Sequence, residues 1–153
     1  MEKGETFPDF VLQDENGDEF DSKQLKGKRY VIYFYPKDNT SGCTREAIGF
    51  SEKLDDFEAL GIQVIGVSKD TVASHRKFVD SKELRIKLLS DPDHVLLEAS
   101  GVWGTKIMYG KETTGTIRST FIVGKDGKVE AAWKKVKVDG HVDKVLEKAR
   151  SLS

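Results

Sequence analysis

Six consecutive β-branched or aromatic residues, Tyr30-Val31-Ile32-Tyr33-Phe34-Tyr35, interrupt an otherwise mixed pattern of apolar and polar positions. An unbroken run of this kind suits a central strand covered on both faces, and Pro36, which cannot continue a ladder, ends it. Ahead of it, Phe10-Val11-Leu12 and Glu19-Phe20 flank Asn16-Gly17, a dipeptide suited to the positive φ of a tight turn, which predicts an N-terminal hairpin. Behind it the period changes. Ala47, Phe50, Leu54 and Phe57 recur at steps of three or four, predicting a helix from Cys43 onward with Thr40 or Ser41 as N-cap and Gly61 as terminator. Ile62–Val67 then reads as a second buried strand, so strand, helix and strand imply a parallel crossover.

A second helix, capped near Asp70, carries Val72, His75, Phe78 and Val79 on one side. Leu88-Leu89 predicts a short strand, and Asp91-Pro92-Asp93 a turn into a short helical stretch. Gly101 to Gly115 shows no clear period and reads as a loop. Ser119–Val123 and Val129–Trp133, joined by Lys125-Asp126-Gly127, predict an antiparallel hairpin. A last helix, starting at Asp139 or shortly after, lines up Val142, Val145, Leu146, Ala149 and Leu152. A parallel unit, an antiparallel hairpin and a closing helix make the thioredoxin-like order. The expected fold is therefore α/β: thioredoxin-like, with an N-terminal β-hairpin extension and a central mixed sheet flanked by helices.

With 153 residues and no repeat or linker-like stretch, one domain over 1–153 is expected. Twenty-five basic residues balance 26 acidic ones, so no net field would gather nucleic acid or an anionic membrane. The opening Met1-Glu2-Lys3-Gly4-Glu5-Thr6 precedes no signal-like apolar stretch, and no run approaches membrane-spanning length, which places the expectation in the cytoplasm. The single cysteine excludes an internal disulfide and a multi-thiolate zinc cluster. His75, His94 and His141 stand singly, and no metal and no cofactor are expected. Gly110-Lys111 lacks the glycine spacing and the hydroxyl residue of a phosphate loop, and Lys134-Lys135-Val136-Lys137 reads as a solvated strand end. Trp103 and Tyr109 fit either the mouth of a site or plain packing.

The chemistry concentrates in Pro36-Lys37-Asp38-Asn39-Thr40-Ser41-Gly42-Cys43-Thr44-Arg45-Glu46. A cysteine in the first turn of a helix faces free backbone N–H groups and the positive end of the dipole, which favour the reactive thiolate. Gly42 permits close backbone approach, Pro36 fixes the chain and shields the sulfur, and the Thr40 hydroxyl stands near enough to bind an oxygen under attack. A lone cysteine is otherwise a small buried hydrophobe, so the residues alone leave both readings open.

Pro36, Thr40 and Cys43, spaced proline, three residues, threonine, two residues, cysteine, form a pattern that resembles the peroxidatic motif of the peroxiredoxins. The segment Tyr33 to Glu46 is similar in particular to the bacterioferritin comigratory protein, or Q-type, branch. The likeness extends through Phe7-Pro8-Asp9-Phe10-Val11-Leu12, Gly27-Lys28, Val67-Ser68-Lys69-Asp70, Asp91-Pro92, Gly101-Val102-Trp103-Gly104 and Ile117-Arg118-Ser119-Thr120-Phe121. The resemblance implies that Cys43 attacks a hydroperoxide and becomes a sulfenic acid, while Thr40 and Arg118 hold its two oxygens. Many members of the branch carry a resolving cysteine five residues after the peroxidatic one, where this chain has Ile48. A one-cysteine cycle is therefore implied, with thioredoxin, glutaredoxin or glutathione as external thiol reductant and the chain acting as a monomer or weak dimer. Ser41 stands where the branch often has proline. Two other classes compete. A thiol–disulfide oxidoreductase would want a Cys-x-x-Cys pair that Thr44, Arg45 and Glu46 do not supply, and a binding or chaperone module would need no chemistry at Cys43.

Overall fold

In the computed structural model, which describes residues 1–153 apart from the side chains of Lys106 and Met108, the N-terminal hairpin pairs β1 (Val11–Asp14) with β2 (Glu19–Asp21). Its turn depends on Gly17 at φ +79° and on the Asp14 carboxylate, which accepts from the amides of Asn16 and Asp18 at 2.8 and 3.0 Å. The apolar run forms β3 (Tyr30–Phe34), buried throughout. Past the Pro36–Thr40 loop come α1 (Ser41–Glu52), α2 (Leu54–Ala59), β4 (Gln63–Ser68), α3 (Val72–Lys82), β5 (Lys87–Ser90) and α4 (Val95–Ala99). The chain closes with β6 (Trp103–Met108), β7 (Lys111–Thr116), β8 (Ser119–Val123), β9 (Val129–Lys134) and α5 (His141–Leu152).

Seven strands join in the order β2-β1-β5-β4-β3-β8-β9. β3, β4 and β5 are parallel, and the remaining pairs are antiparallel, giving the mixed sheet expected. Because strand side chains alternate, β3 feeds two cores. Val31, Tyr33 and Tyr35 face the side covered by α1, α2, α3 and α5, where Phe50, Phe57, Phe78 and Val145 pack against them. Tyr30, Ile32 and Phe34 face the other side, against Phe7, Phe10, Phe20, Leu97 and Phe121. Among the described residues no helix is long and apolar enough to cross a membrane.

One helix boundary differs from the sequence reading, and two agree with it. The first helix breaks at Lys53 (φ −96°, ψ 4°), although its apolar stripe continues in phase from Phe50 to Leu54 and Phe57. α3 is capped by Thr71, next to Asp70 as expected, and the Thr71 hydroxyl accepts from Ser74 N–H at 3.1 Å. α5 begins at His141, shortly after Asp139 as expected, following Gly140 at φ +73°. The largest correction concerns Gly101 to Gly115, expected as a loop. It forms the two-stranded ribbon β6–β7, reversed at Tyr109-Gly110, both with positive φ (52° and 76°), the geometry of a two-residue hairpin turn. Tyr109 at its tip is 99% exposed, so core packing is ruled out for it. Trp103, at the ribbon's base, stacks on His94 with ring centroids 4.1 Å apart.

Candidate active site

Cys43 is the third residue of α1, so its own amide and those of Ser41 and Gly42 lie before the first helical bond, which runs from Thr44 N–H to the Thr40 carbonyl (2.8 Å). These free donors and the dipole make the first turn favourable for an anion. Cys43 is 1% exposed, but Gly42 and Arg118 beside it are partly exposed, so it lies one layer beneath the surface. Thr40 takes the N-cap position without capping. Its hydroxyl turns back and donates to the Lys37 carbonyl at 3.0 Å, within the loop that Pro36 begins.

Arg118 reaches this turn from across the sheet. β8 runs antiparallel beside β3, with Ser119 opposite Phe34, which brings the preceding residue to the end of β3 where the loop departs. The Arg118 backbone is held there by Val136 N–H, which donates to its carbonyl at 3.0 Å. The guanidinium forks: Nη2 donates to Cys43 Sγ at 3.1 Å and Nη1 to Glu46 Oε1 at 2.7 Å. A Cβ at Gly42 would stand 3.4 Å from Nη2, so the guanidinium lies directly against the backbone of this turn. Burial works against the charge on Arg118, yet Glu46 and Cys43 more than offset it and hold the guanidinium protonated.

Glu46 is named in the reactive segment but given no role there. It sits one helical turn beyond Cys43 on the same face of α1 and is completely buried. Burial pushes its carboxyl up to about 7 although Arg118 pulls the other way. Its Oε2 and the Tyr33 hydroxyl have no hydrogen-bond partner among the described residues, and Tyr33 is driven far up by burial, then by Glu46 and Cys43. On the far side, His141 is held near 4 by burial, then by Lys144 and Arg118, so the ring shares its contact with the Thr120 hydroxyl (2.7 Å) uncharged. Of the residues expected to act together, the structure brings Arg118 onto Cys43 and sets Thr40 and Pro36 in the adjoining loop. Among the described residues no group of three or more His, Cys, Asp or Glu side chains is placed to hold a metal ion.

Comparison with known proteins fits this geometry. The sequence profile described as the AhpC/TSA family matches residues 3–132. The chain belongs to the AhpC/TSA family. Among AhpC/TSA relatives it is 41% identical to the peroxiredoxin Bcp of Bacillus subtilis (strain 168), over 100% of this chain and 98% of that one. To the peroxiredoxin Bcp of Escherichia coli (strain K12) it is 36% identical, over 95% and 94% of the two chains. Solved family structures superpose closely. Xanthomonas campestris peroxiredoxin Q is 41% identical with a TM-score of 0.88, covering 93% of this chain and 90% of that one. A cysteine-to-serine mutant of Xylella fastidiosa PrxQ is 35% identical with a TM-score of 0.93, covering 99% and 96%. Thus the thioredoxin-like α/β fold and the bacterioferritin comigratory protein, or Q-type, resemblance both hold. Ile48 is partly buried against the core, and Cys43 is the only cysteine of this AhpC/TSA chain.

Proposed function

We propose that the chain works as a single peroxiredoxin domain, a thiol peroxidase that reduces hydroperoxides at Cys43 and is regenerated by an external thiol. The observation that carries this reading is the guanidinium N–H of Arg118 aimed at Sγ from 3.1 Å, on a cysteine in the first turn of a helix. A fixed donor there complements both the thiolate and the charge that develops on a peroxide oxygen. The Xanthomonas campestris bacterioferritin comigratory protein, 40% identical to this chain, is the subject of trapped intermediate and ligand complexes concerned with alkyl peroxide reduction.

In the proposed cycle the Cys43 thiolate attacks one peroxide oxygen, forming the S–O bond as the O–O bond breaks. The departing hydroxide or alkoxide takes up a proton and leaves as water or alcohol. Arg118 and the Thr40 hydroxyl stabilise the oxygens, which requires Thr40 to exchange its bond to Lys37 for one to the substrate, while Pro36 shields the sulfur from water. A first external thiol condenses with the sulfenic acid, releasing water. A second thiol frees Cys43 and leaves as a disulfide, so two thiols supply the two electrons the peroxide consumes. Thioredoxin, glutaredoxin and glutathione are the candidate reductants, in a cytoplasmic setting, with the enzyme as monomer or weak dimer.

Steady-state peroxide consumption with each reductant in turn tests the cycle. Activity should vanish in Cys43→Ser, and peroxide in excess over reductant should drive Cys43 to sulfinic acid, seen by mass spectrometry. Unchanged turnover in Cys43→Ser would end this reading.

A further inference from the structure

The Pro36–Thr40 loop is tied to α3 through a buried ion pair that the cycle above does not use. His75 is completely buried, and its two ring nitrogens both face acceptors: Nε2 lies 2.9 Å from the Leu89 carbonyl and Nδ1 lies 2.6 Å from Asp38 Oδ2. A carbonyl can only accept, so Nε2 carries a proton. Both Asp38 oxygens already act as acceptors, Oδ1 from the Tyr35 hydroxyl (2.6 Å) and Oδ2 from the Ser74 hydroxyl (2.8 Å), so Asp38 offers Nδ1 an acceptor. The ring must then carry the second proton as well, on Nδ1. Burial alone would discharge the ring, but the bond to Asp38 and its charge, the Leu89 carbonyl and the charge of Asp70 outweigh it and raise the imidazole above its ordinary range. The faces around the ring are thus Tyr35 at the end of β3, Asp38 in the loop, Asp70 between β4 and α3, Ser74 on α3 and Leu89 on β5.

The same residue that receives the imidazolium also fixes the loop's backbone. Asp38 N–H donates to Asp70 Oδ2 at 2.9 Å, and Asp70 is itself held by the Ser68 hydroxyl at 2.6 Å. Asp38 lies two residues from both Pro36 and Thr40. We propose that His75 is a positioning residue for the peroxide step: its imidazolium, clamped between Leu89 and Asp38, fixes the loop that presents Thr40 beside Cys43. This rests on the reading of Cys43 as the peroxide-reducing thiol. A placement error of about 1 Å in such a group costs about a hundredfold in rate. The thiolate itself is stabilised elsewhere, by Arg118 and the α1 amides, and should keep its reactivity toward an alkylating agent that needs no oxygen-binding groups.

Two single-turnover rates in the full chain, oxidation of Cys43 by hydrogen peroxide and its alkylation by iodoacetamide, separate these roles. His75→Leu should lower the peroxide rate constant about a hundredfold and leave alkylation within about threefold of the wild type. His75→Asn, whose amide N–H can take the place of Nδ1–H toward Asp38, should recover most of that loss. NMR of the histidine ring nitrogens in the wild-type chain should show His75 protonated on both at neutral pH. Wild-type peroxide rates in His75→Leu, equal losses in both reactions, or a neutral His75 ring would each overturn the inference. Should His75→Leu fail to fold, Asp38→Asn and the ring-nitrogen spectrum of the wild type decide it. A wild-type Cys43 oxidised no faster than a free thiol would instead remove the peroxidase reading, and this inference with it.

Discussion

Replacing Arg118 by Met keeps an aliphatic stem but removes two N–H donors, one 3.1 Å from Cys43 Sγ and one 2.7 Å from Glu46 Oε1. The first loss falls on the reacting centre. Deleting a single preorganised donor to developing charge costs about 2.7–4 kcal/mol, or about 10²- to 10³-fold in rate. The second loss falls on stability. A fully buried carboxylate stripped of its partner would cost about 3–5 kcal/mol if it stayed ionised. Glu46 has a milder course, because its carboxyl already stands at about 7 with Arg118 present and must rise further without it. It takes up a proton, and the remaining cost is that of a neutral buried group without a partner, about 1–3 kcal/mol.

Arg118→Met should therefore fold and react slowly. Single-turnover oxidation of Cys43 by hydrogen peroxide, with chemical denaturation as the check on folding, measures both. Arg118→Lys should fall between the two proteins, because an ammonium is a point charge and cannot fork to Sγ and Glu46 in the planar geometry seen here. A folded Arg118→Met protein oxidised within about threefold of the wild-type rate would refute the role assigned to the guanidinium.

Three further outcomes rest on the same geometry. Thr40→Val removes the hydroxyl that now bonds to Lys37 and should slow the peroxide step while costing only about 0.5–1.5 kcal/mol of stability; an unaltered peroxide rate would take Thr40 out of the site. Glu46 should make stability fall as pH rises, since its carboxyl ionises at about 7 in the fold against 4.5 for the ordinary group: the contribution is complete below 4.5 and about 3 kcal/mol is lost once pH passes 7. Urea titrations at several pH values should show that slope in the wild type and its loss in Glu46→Gln. Gly66→Ala would bring a Cβ within 2.8 Å of the Tyr33 ring and 2.9 Å of Leu88, so it should cost about 1–3 kcal/mol by overpacking; an unchanged urea midpoint would contradict this.

What the chain revealed before its structure depended on whether an element faces a core. β3 was plain because both of its faces are buried and nearly every position is therefore apolar. The ribbon β6–β7 stayed hidden for the opposite reason. It pairs only with itself, most of it is exposed, and residues such as Lys111, Glu112, Thr113 and Thr114 have no buried face to impose a period of two. Its single local signal was Gly110, preceded by Tyr109 where Asn or Asp is the usual partner in such a turn. The break at Lys53 was equally silent, because a kink that leaves Phe50, Leu54 and Phe57 on one side does not disturb the helical spacing.

The site divides along the same line, between groups adjacent in sequence and groups that only the sheet brings together. Cys43, Thr40 and Pro36 belong to one strand-to-helix turn, and helix geometry alone placed the sulfur beside free amides. Arg118 lies 75 residues away and arrives because β8 pairs antiparallel with β3, a register its own neighbours do not announce. Glu46 was readable but unread: Cys43, Glu46, Ala47 and Phe50 share one face of α1, and an acid on an otherwise apolar face needs a buried cation. The same logic reaches the other side of the loop. His75 shares a helix face with Phe78 and Val79, so its polar ring needed partners there, and the structure supplies Asp38 from the loop leading to Cys43. Polar residues out of phase with their helix thus pointed to both sides of the reactive turn. Each is buried against a charge from a distant segment, and in each case that charge fixes a group adjoining the sulfur.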